Sequence, residues 1–207
     1  MARQLGTLCE QAVKTARLGL FPLQWTAALQ DKLDTRLADV SLSVPEERHA
    51  EAPIWFSGAA AKNIHLLLDD TGLQALFSNL LKCAIDRDRQ GKVHPAFIKI
   101  IEALSPDDAR FLSLHSAIEP LKEELTSQVR NPMRELIRRR IPELDELPQA
   151  AIDASIDNLR GLSVVHSSVS NIVGLDRGSV TRVELKLNQF GRNFCEVCLP
   201  DSTDDDL

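Results

Sequence analysis

Apolar residues recur along this chain at three- and four-residue steps, the spacing of helices with one buried face. Leu5, Leu8, Cys9, Ala12, Val13 and Ala16 form one such stripe. Leu29, Leu33, Leu37 and Val40 form a second, after a break at Phe21-Pro22, so residues 1–44 read as a helical hairpin. Residues 41–53 hold two prolines and a charge cluster without apolar periodicity and read as a linker. A third helix is expected over about 53–68, carrying the small-residue run Ser57-Gly58-Ala59-Ala60-Ala61.

The clearest stripe is Leu73, Leu76, Phe77, Leu80, Leu81 and Ala84, ending near Asp86. The polar stretch 87–94 reads as a loop, and the next helix carries Phe97, Ile98, Ile101 and Leu104. Ser105-Pro106-Asp107-Asp108 is a helix start: Ser supplies the cap, Pro the first helical position, and Asp108 the reciprocal capping partner. That helix runs through Phe111, Leu114, His115 and Ile118 to Pro120. These three consecutive stripes are expected to share one core.

Residues 119–148 are charged and broken by Pro132, Pro142 and Pro148, and read as a connector with one or two short helices. A helix over 149–161 ends at Gly161. The period then changes. Ser163–Val173 and Ser179–Leu187 are rich in Val, Ser and Thr around Gly174-Leu175-Asp176-Arg177-Gly178, a β-hairpin pattern. A short last helix over about 189–197 and an acidic, disordered tail close the chain. The expected fold is therefore mainly α: a helical N-terminal region followed by a winged-helix-like region with one β-hairpin. The parts are a hairpin at 1–44, a helical core at 45–118, a connector at 119–148, the winged-helix-like end at 149–198 and the tail at 199–207.

Three segments carry the resemblance to a known family. They are Leu73-Gln-Ala-Leu-Phe-Ser-Asn-Leu-Leu81, then Val93-His-Pro-Ala-Phe-Ile98, then Leu104-Ser-Pro-Asp-Asp-Ala109. A leucine-rich helix, a His-Pro-x-Phe segment and a Leu-Ser-Pro-x-x-Ala helix start, in that order, resemble the abortive infection alpha (Abi-alpha) family. Leu18–Trp25 upstream, with Asn158–Leu162 and Leu187–Gly191 downstream, fit as well. The resemblance implies an association with bacteriophage-defence genes whose action leaves infected cells arrested or dead. It supplies no catalytic mechanism and no active-site residues.

Composition narrows the function classes. Net charge is −6, of which Asp201, Asp204, Asp205 and Asp206 contribute −4, so the body is near neutral at −2. A near-neutral body has no general pull on phosphate, and sequence-specific DNA binding is not expected. The four Cys residues show no disulfide framework, which favours a reducing cytoplasm. The first residues lack the apolar run of a signal peptide.

The chemistry-bearing candidates are few. Arg110 and His115 lie five residues apart on a helix, as in HEPN-type metal-independent ribonucleases, though His115 falls on the apolar face. Arg87 or Arg89 with His94 sits on a loop, where His94 reads as a cap for the following helix, and Arg160 with His166 straddles a helix and a strand. Cys195-x-x-Cys198 has metal-ligand spacing but lacks a second ligand pair, so no metal or cofactor is expected. Arg134, Arg138, Arg139 and Arg140 form a basic strip flanked by Glu119, Glu123, Glu124, Glu143, Asp145 and Glu146, the candidate surface for a protein partner. The helix at 149–161 occupies the recognition position of a winged helix but offers Asp153 and Asp157, which repel phosphate. Leu18–Leu29, with Phe21 and Trp25, could lie on a membrane surface or dock a partner.

The leading expectation is a non-enzymatic interaction protein, effector or sensor, of a phage-defence system, with a protein partner and a homo-oligomer as the assemblies to test. The alternatives are a ribonuclease using Arg110 and His115, and a membrane-associated effector using residues 18–29.

Overall fold

The computed structural model describes residues 27–68, 72–126, 129–174 and 178–200. The expected first helix, with Cys9 and most of the apolar segment 18–29, lies outside them. The described chain is mostly helical, as the stripes require, with one three-stranded antiparallel sheet of which two strands are the expected hairpin. It divides into two compact units, one formed by the chain up to Ala103 together with the stretch from Val197 onward, the other by Leu104–Glu196.

In the first unit, helices α1 (Ala27–Leu42), α2 (Ile54–Lys62), α3 (Gly72–Ile85) and α4 (Ala96–Ala103) follow one another. The helix expected over 53–68 stops at Lys62 and continues as a tighter 3-10 turn over Ile64–Leu68. Phe56, Leu67, Leu76, Phe77, Leu80, Phe97 and Ile101 are all at most 2% exposed and make the core. The stretch expected as a plain linker is tied down by a clamp. Asp86, 4% exposed, accepts from the Arg48 guanidinium through both carboxylate oxygens and also accepts from the Asp88 amide. Arg87 N donates to Arg48 O and Ala50 N to Ile85 O, so backbone bonds flank the ion pair.

In the second unit the order is α5 (Pro106–Ile118), β1 (Leu121–Thr126), α6 (Pro132–Arg140), α7 (Gln149–Gly161), β2 (Val165–Gly174) and β3 (Gly178–Leu187), with α8 (Gln189–Cys198) leaving it. The sheet order is β1-β3-β2, with Leu121 opposite Leu185 and Val169 opposite Val183. The segment expected as a connector therefore supplies a strand and a well-buried helix: Leu136, Ile137, Ile141 and Leu144 are at most 1% exposed. Ala109, Phe111, Leu112 and His115 face the core from α5, whereas Leu114 is half-buried and Ile118 is 37% exposed.

The start of α5 has both halves of its capping box. Ser105 Oγ accepts from Asp108 N at 3.1 Å, and Asp108 Oδ2 accepts from Ser105 N at 2.8 Å. The same Asp108 oxygen accepts from Asn158 Nδ2 at 2.8 Å and so holds α7 against the helix start. Ser105→Ala should cost about 1 kcal/mol, the usual loss for an N-cap. Asp108→Ala should cost more in the same urea titration, because it also removes the bond from the Asn158 amide that holds α7 to the helix start; equal losses would show that this bridge contributes nothing.

Candidate functional site

The candidate site is built on α6. Asn131 Oδ1 accepts from Arg134 N at 3.1 Å and Pro132 takes the first turn, so the start of the helix is fixed by two local signals. Leu136 and Ile137 anchor its inner face. Their burial turns the arginines to the surface, where three of them follow one another in the last turn, favourably placed at the negative end of the helix dipole.

The four arginines are not equivalent. Arg138 Nη2 lies 2.9 Å from Glu135 Oε1, and Arg139 Nε reaches the same oxygen at 2.7 Å. Arg139 Nη1 also donates to Glu123 on β1 at 2.6 Å. The Arg138 and Arg139 hydrogen bonds hold the Glu135 carboxyl below its usual range, and Glu135 raises both guanidinium values in return. Arg134 and Arg140 are exposed and pair with no carboxylate among the described residues. Arg134, with Arg138 and Asp145, borders a small hollow floored by Ile137, Leu144 and Ile152; Arg140 is not among its lining residues. The surface thus combines an apolar floor with uncompensated positive charge.

Next to this face, α7 turns Ile152, Ser155, Ile156 and Leu159 inward and leaves Asp153, Asp157 and Arg160 exposed. Arg160 pairs with Asp157 at 3.3 Å, and Gln149 donates to Asp153 at 2.6 Å. The outward face of α7 is therefore net acidic.

Arg110 and His115 share α5 but not an environment. Five residues are roughly 140° around a helix, and the structure separates the side chains accordingly. Arg110 is exposed, donating to Glu143 O at 3.0 Å and lying 3.6 Å from Glu146. His115 is 0% exposed, stacks on Phe111 with ring centroids 6.1 Å apart, and bonds through Nε2 to Leu185 O at 3.3 Å. A carbonyl only accepts, so Nε2 carries the proton. Among the described residues Nδ1 has no hydrogen-bond partner and is a bare lone pair facing the core. Burial pushes the His115 imidazole below its ordinary value, against the opposing pull of the Leu185 carbonyl and the Glu119 charge.

That depression has a pH signature. The unfolded chain takes up this proton near its ordinary pKa of about 6.5, and the folded chain only at lower pH. Between the two values the unfolded state binds more protons, so stability is fully present above about 6.5 and declines as pH falls below it. His115→Gln, which keeps a donor for Leu185 O, should flatten the decline in urea midpoint between about pH 7.5 and 5.5 relative to wild type. Parallel decline in both proteins would show that His115 does not titrate in this way.

The other candidates have local surroundings of their own. Ala96 N donates to His94 Nδ1 at 3.1 Å and the ring lies 5.7 Å from Phe97, so His94 caps α4. His166 is exposed on β2. Cys195 and Cys198 are both buried, and burial raises the Cys195 thiol to about 12. Among the described residues no group of three or more His, Cys, Asp or Glu side chains could hold a metal ion. Among them, too, no helix is long and apolar enough to cross a membrane.

Two groups escaped the sequence reading. Arg48 and Asp86 are 38 residues apart and carry no local signal of their pairing. Gly191 lies where an added Cβ would fall 2.9 Å from the Val164 carbonyl carbon and closer still to its oxygen; its only signal was its place in the closing Leu187–Gly191 pattern.

The three ordered motifs lie on α3, at the start of α4 and at the start of α5. The family model described as "Abortive infection alpha" matches residues 25–198, and the chain belongs to that family. It is thereby an abortive-infection-related protein. No curated protein and no solved structure matches the chain.

Proposed function

We propose that this protein is a non-enzymatic interaction component, effector or sensor, of an abortive-infection system, and that it docks a protein partner through the arginine face of α6. The observation that carries the reading is the pair Arg134 and Arg140: exposed guanidiniums with no carboxylate partner among the described residues, the first of them at the rim of a small hollow floored by Ile137, Leu144 and Ile152. Arginine is enriched in protein interfaces and among their energetic centres. The complementary partner surface is acidic.

The second unit is best understood as winged-helix-like. What supports this is the order helix, strand, helix, helix, strand, strand with sheet order β1-β3-β2. In that arrangement α7 takes the recognition position, and its outward Asp153 and Asp157 disfavour phosphate. The module therefore engages protein rather than duplex DNA. Little gel shift on ordinary duplex at physiological salt is expected; a tight, salt-sensitive shift would count decisively against it.

The test is co-purification from phage-infected cells with the full chain and with an Arg134→Glu/Arg140→Glu variant. Neither side chain holds an ion pair in the described structure, and in the dipole of α6 a carboxylate at 134 in the first turn offsets one at 140 in the last, so the variant should keep its melting temperature. A partner recovered with wild type should be lost with the variant. Retention of every co-purifying protein by a folded variant would remove α6 as the docking face.

A further inference from the structure

The two edges of the sheet are treated differently. On β1 the edge carries Lys122, Glu123 and Glu124, and charges on an edge discourage another strand from pairing there. On β2, the other edge, the run from Val165 to Gly174 (VHSSVSNIVG) contains no Asp, Glu, Lys or Arg and no proline. Among the described residues no backbone hydrogen bond reaches this strand from outside its own hairpin. Among the described residues, both exposed large apolar side chains of the sheet sit on it: Val169 at 52% and Ile172 at 37%. An uncharged, ten-residue edge of this kind is a template for another strand.

The sequence of the edge indicates which strand. Around Val169 it is nearly the same in both directions for two positions: Ser168 and Ser170 flank it, then Ser167 and Asn171, both small and polar; the next pair, His166 and Ile172, differs. An antiparallel neighbour reads its partner in reverse, so a second copy centred on Val169 sets Val169 against Val169, Ser168 against Ser170 and Ser167 against Asn171. Each is a pair of matched size and polarity on one face, and no like charges meet. A two-fold axis through Val169 makes the contact self-complementary and closed.

We propose that β2 is a homotypic pairing edge, through which two copies of this chain join antiparallel across Val169 into one continuous six-stranded sheet. The pairing is independent of the arginine face of α6 and stands or falls without it.

The experiment is sedimentation velocity on the full chain across a concentration series, with three substitutions at one position. Wild type should shift from one to two chain masses with concentration. Val169→Glu, which sets two carboxylates against each other at the axis, should weaken association at least tenfold, whereas Val169→Thr, β-branched and uncharged, should retain it. Directly opposed residues of an antiparallel pair are about 4.5–5.5 Å apart at Cα, within reach of a disulfide. Val169→Cys, in a chain with Cys9 changed to Ser, should therefore form a covalent dimer on mild oxidation, which the Cys9→Ser parent does not. If Val169→Glu fails to fold by circular dichroism, this crosslink decides. A wild-type chain that stays monomeric up to its solubility limit overturns the proposal. So does a dimer indifferent to Val169→Glu, or one in which Val169→Cys does not crosslink.

Discussion

Phe77→Ala should destabilise the protein by about 3–5 kcal/mol, the range for emptying a buried phenylalanine site. Phe77 is 0% exposed, and its neighbours on α3, Leu76 and Leu80, are 2% and 0% exposed, as are Phe97 at 1% and Ile101 at 0% on α4. Walls formed by two helices cannot collapse into the space of a lost ring without breaking their own packing, so most of the cavity persists. Ser105→Ala removes one capping bond at a helix start and is worth about 1 kcal/mol. Urea unfolding of the two variants beside wild type compares them directly. A Phe77→Ala loss no greater than the Ser105→Ala loss would show that α3 is not the centre of its unit.

Gly191→Ala should cost about 3 kcal/mol, the upper part of the range for overpacking. The obstacle is backbone, not a side chain that can swing away. The new methyl would press on the Val164 carbonyl, which already accepts from Asn188 N at 3.1 Å. Asn188 Oδ1 caps α8 through Gly191 N at 2.7 Å, and Asn188 Nδ2 donates to Ser163 O at 2.5 Å. Relief of the clash must therefore disturb the start of α8 and the turn before β2 together. Gly58→Ala on α2 is the control: nothing lies within 4 Å of its added Cβ, and it should gain about 0.5–1 kcal/mol of helix propensity. Equal midpoints for the two variants would show that the close approach at Val164 is not limiting.

The contrast between these sites also marks what the sequence can disclose. Elements whose signals are local stand where the pattern places them. The Ser105–Asp108 box caps α5 from both sides, α7 spans 149–161, and the Val/Ser/Thr-rich stretches pair as β2 and β3. The strand β1 was not legible for a definite reason. Leu121 and Leu125 are four apart, a spacing that keeps two side chains on one face of a helix and on one face of a strand alike. Lys122, Glu123 and Glu124 between them suit an exposed helix better than a strand. Only pairing with β3, some 60 positions away, decides the matter. The clamp between Arg48 and Asp86 was invisible for the same reason.

The candidate site divides similarly. The basic strip and its acidic neighbours were plain from composition, but the distribution of charge among them was not. That Glu135 and Glu123 neutralise Arg138 and Arg139 while Arg134 and Arg140 stay uncompensated depends on the turn of α6 and the position of β1. His115 showed itself as a histidine on an apolar stripe; the orphaned Nδ1 and the Leu185 carbonyl belong to the tertiary structure alone.

The first unit recruits its last pieces from the far end of the chain. Asn79 Nδ2 donates to Cys198 O at 3.2 Å, and the Cys83 thiol lies 3.5 Å from Val197 O. During synthesis, α1 to α4 leave the ribosome more than ninety residues before Val197 does. In that interval the face of α3 that holds Asn79 and Cys83 lacks the cover that Val197 and Cys198 give it. A nascent chain stalled or cleaved before position 197 therefore keeps an incomplete first unit however long it waits, and chaperones and proteases have a means of telling it from the finished protein.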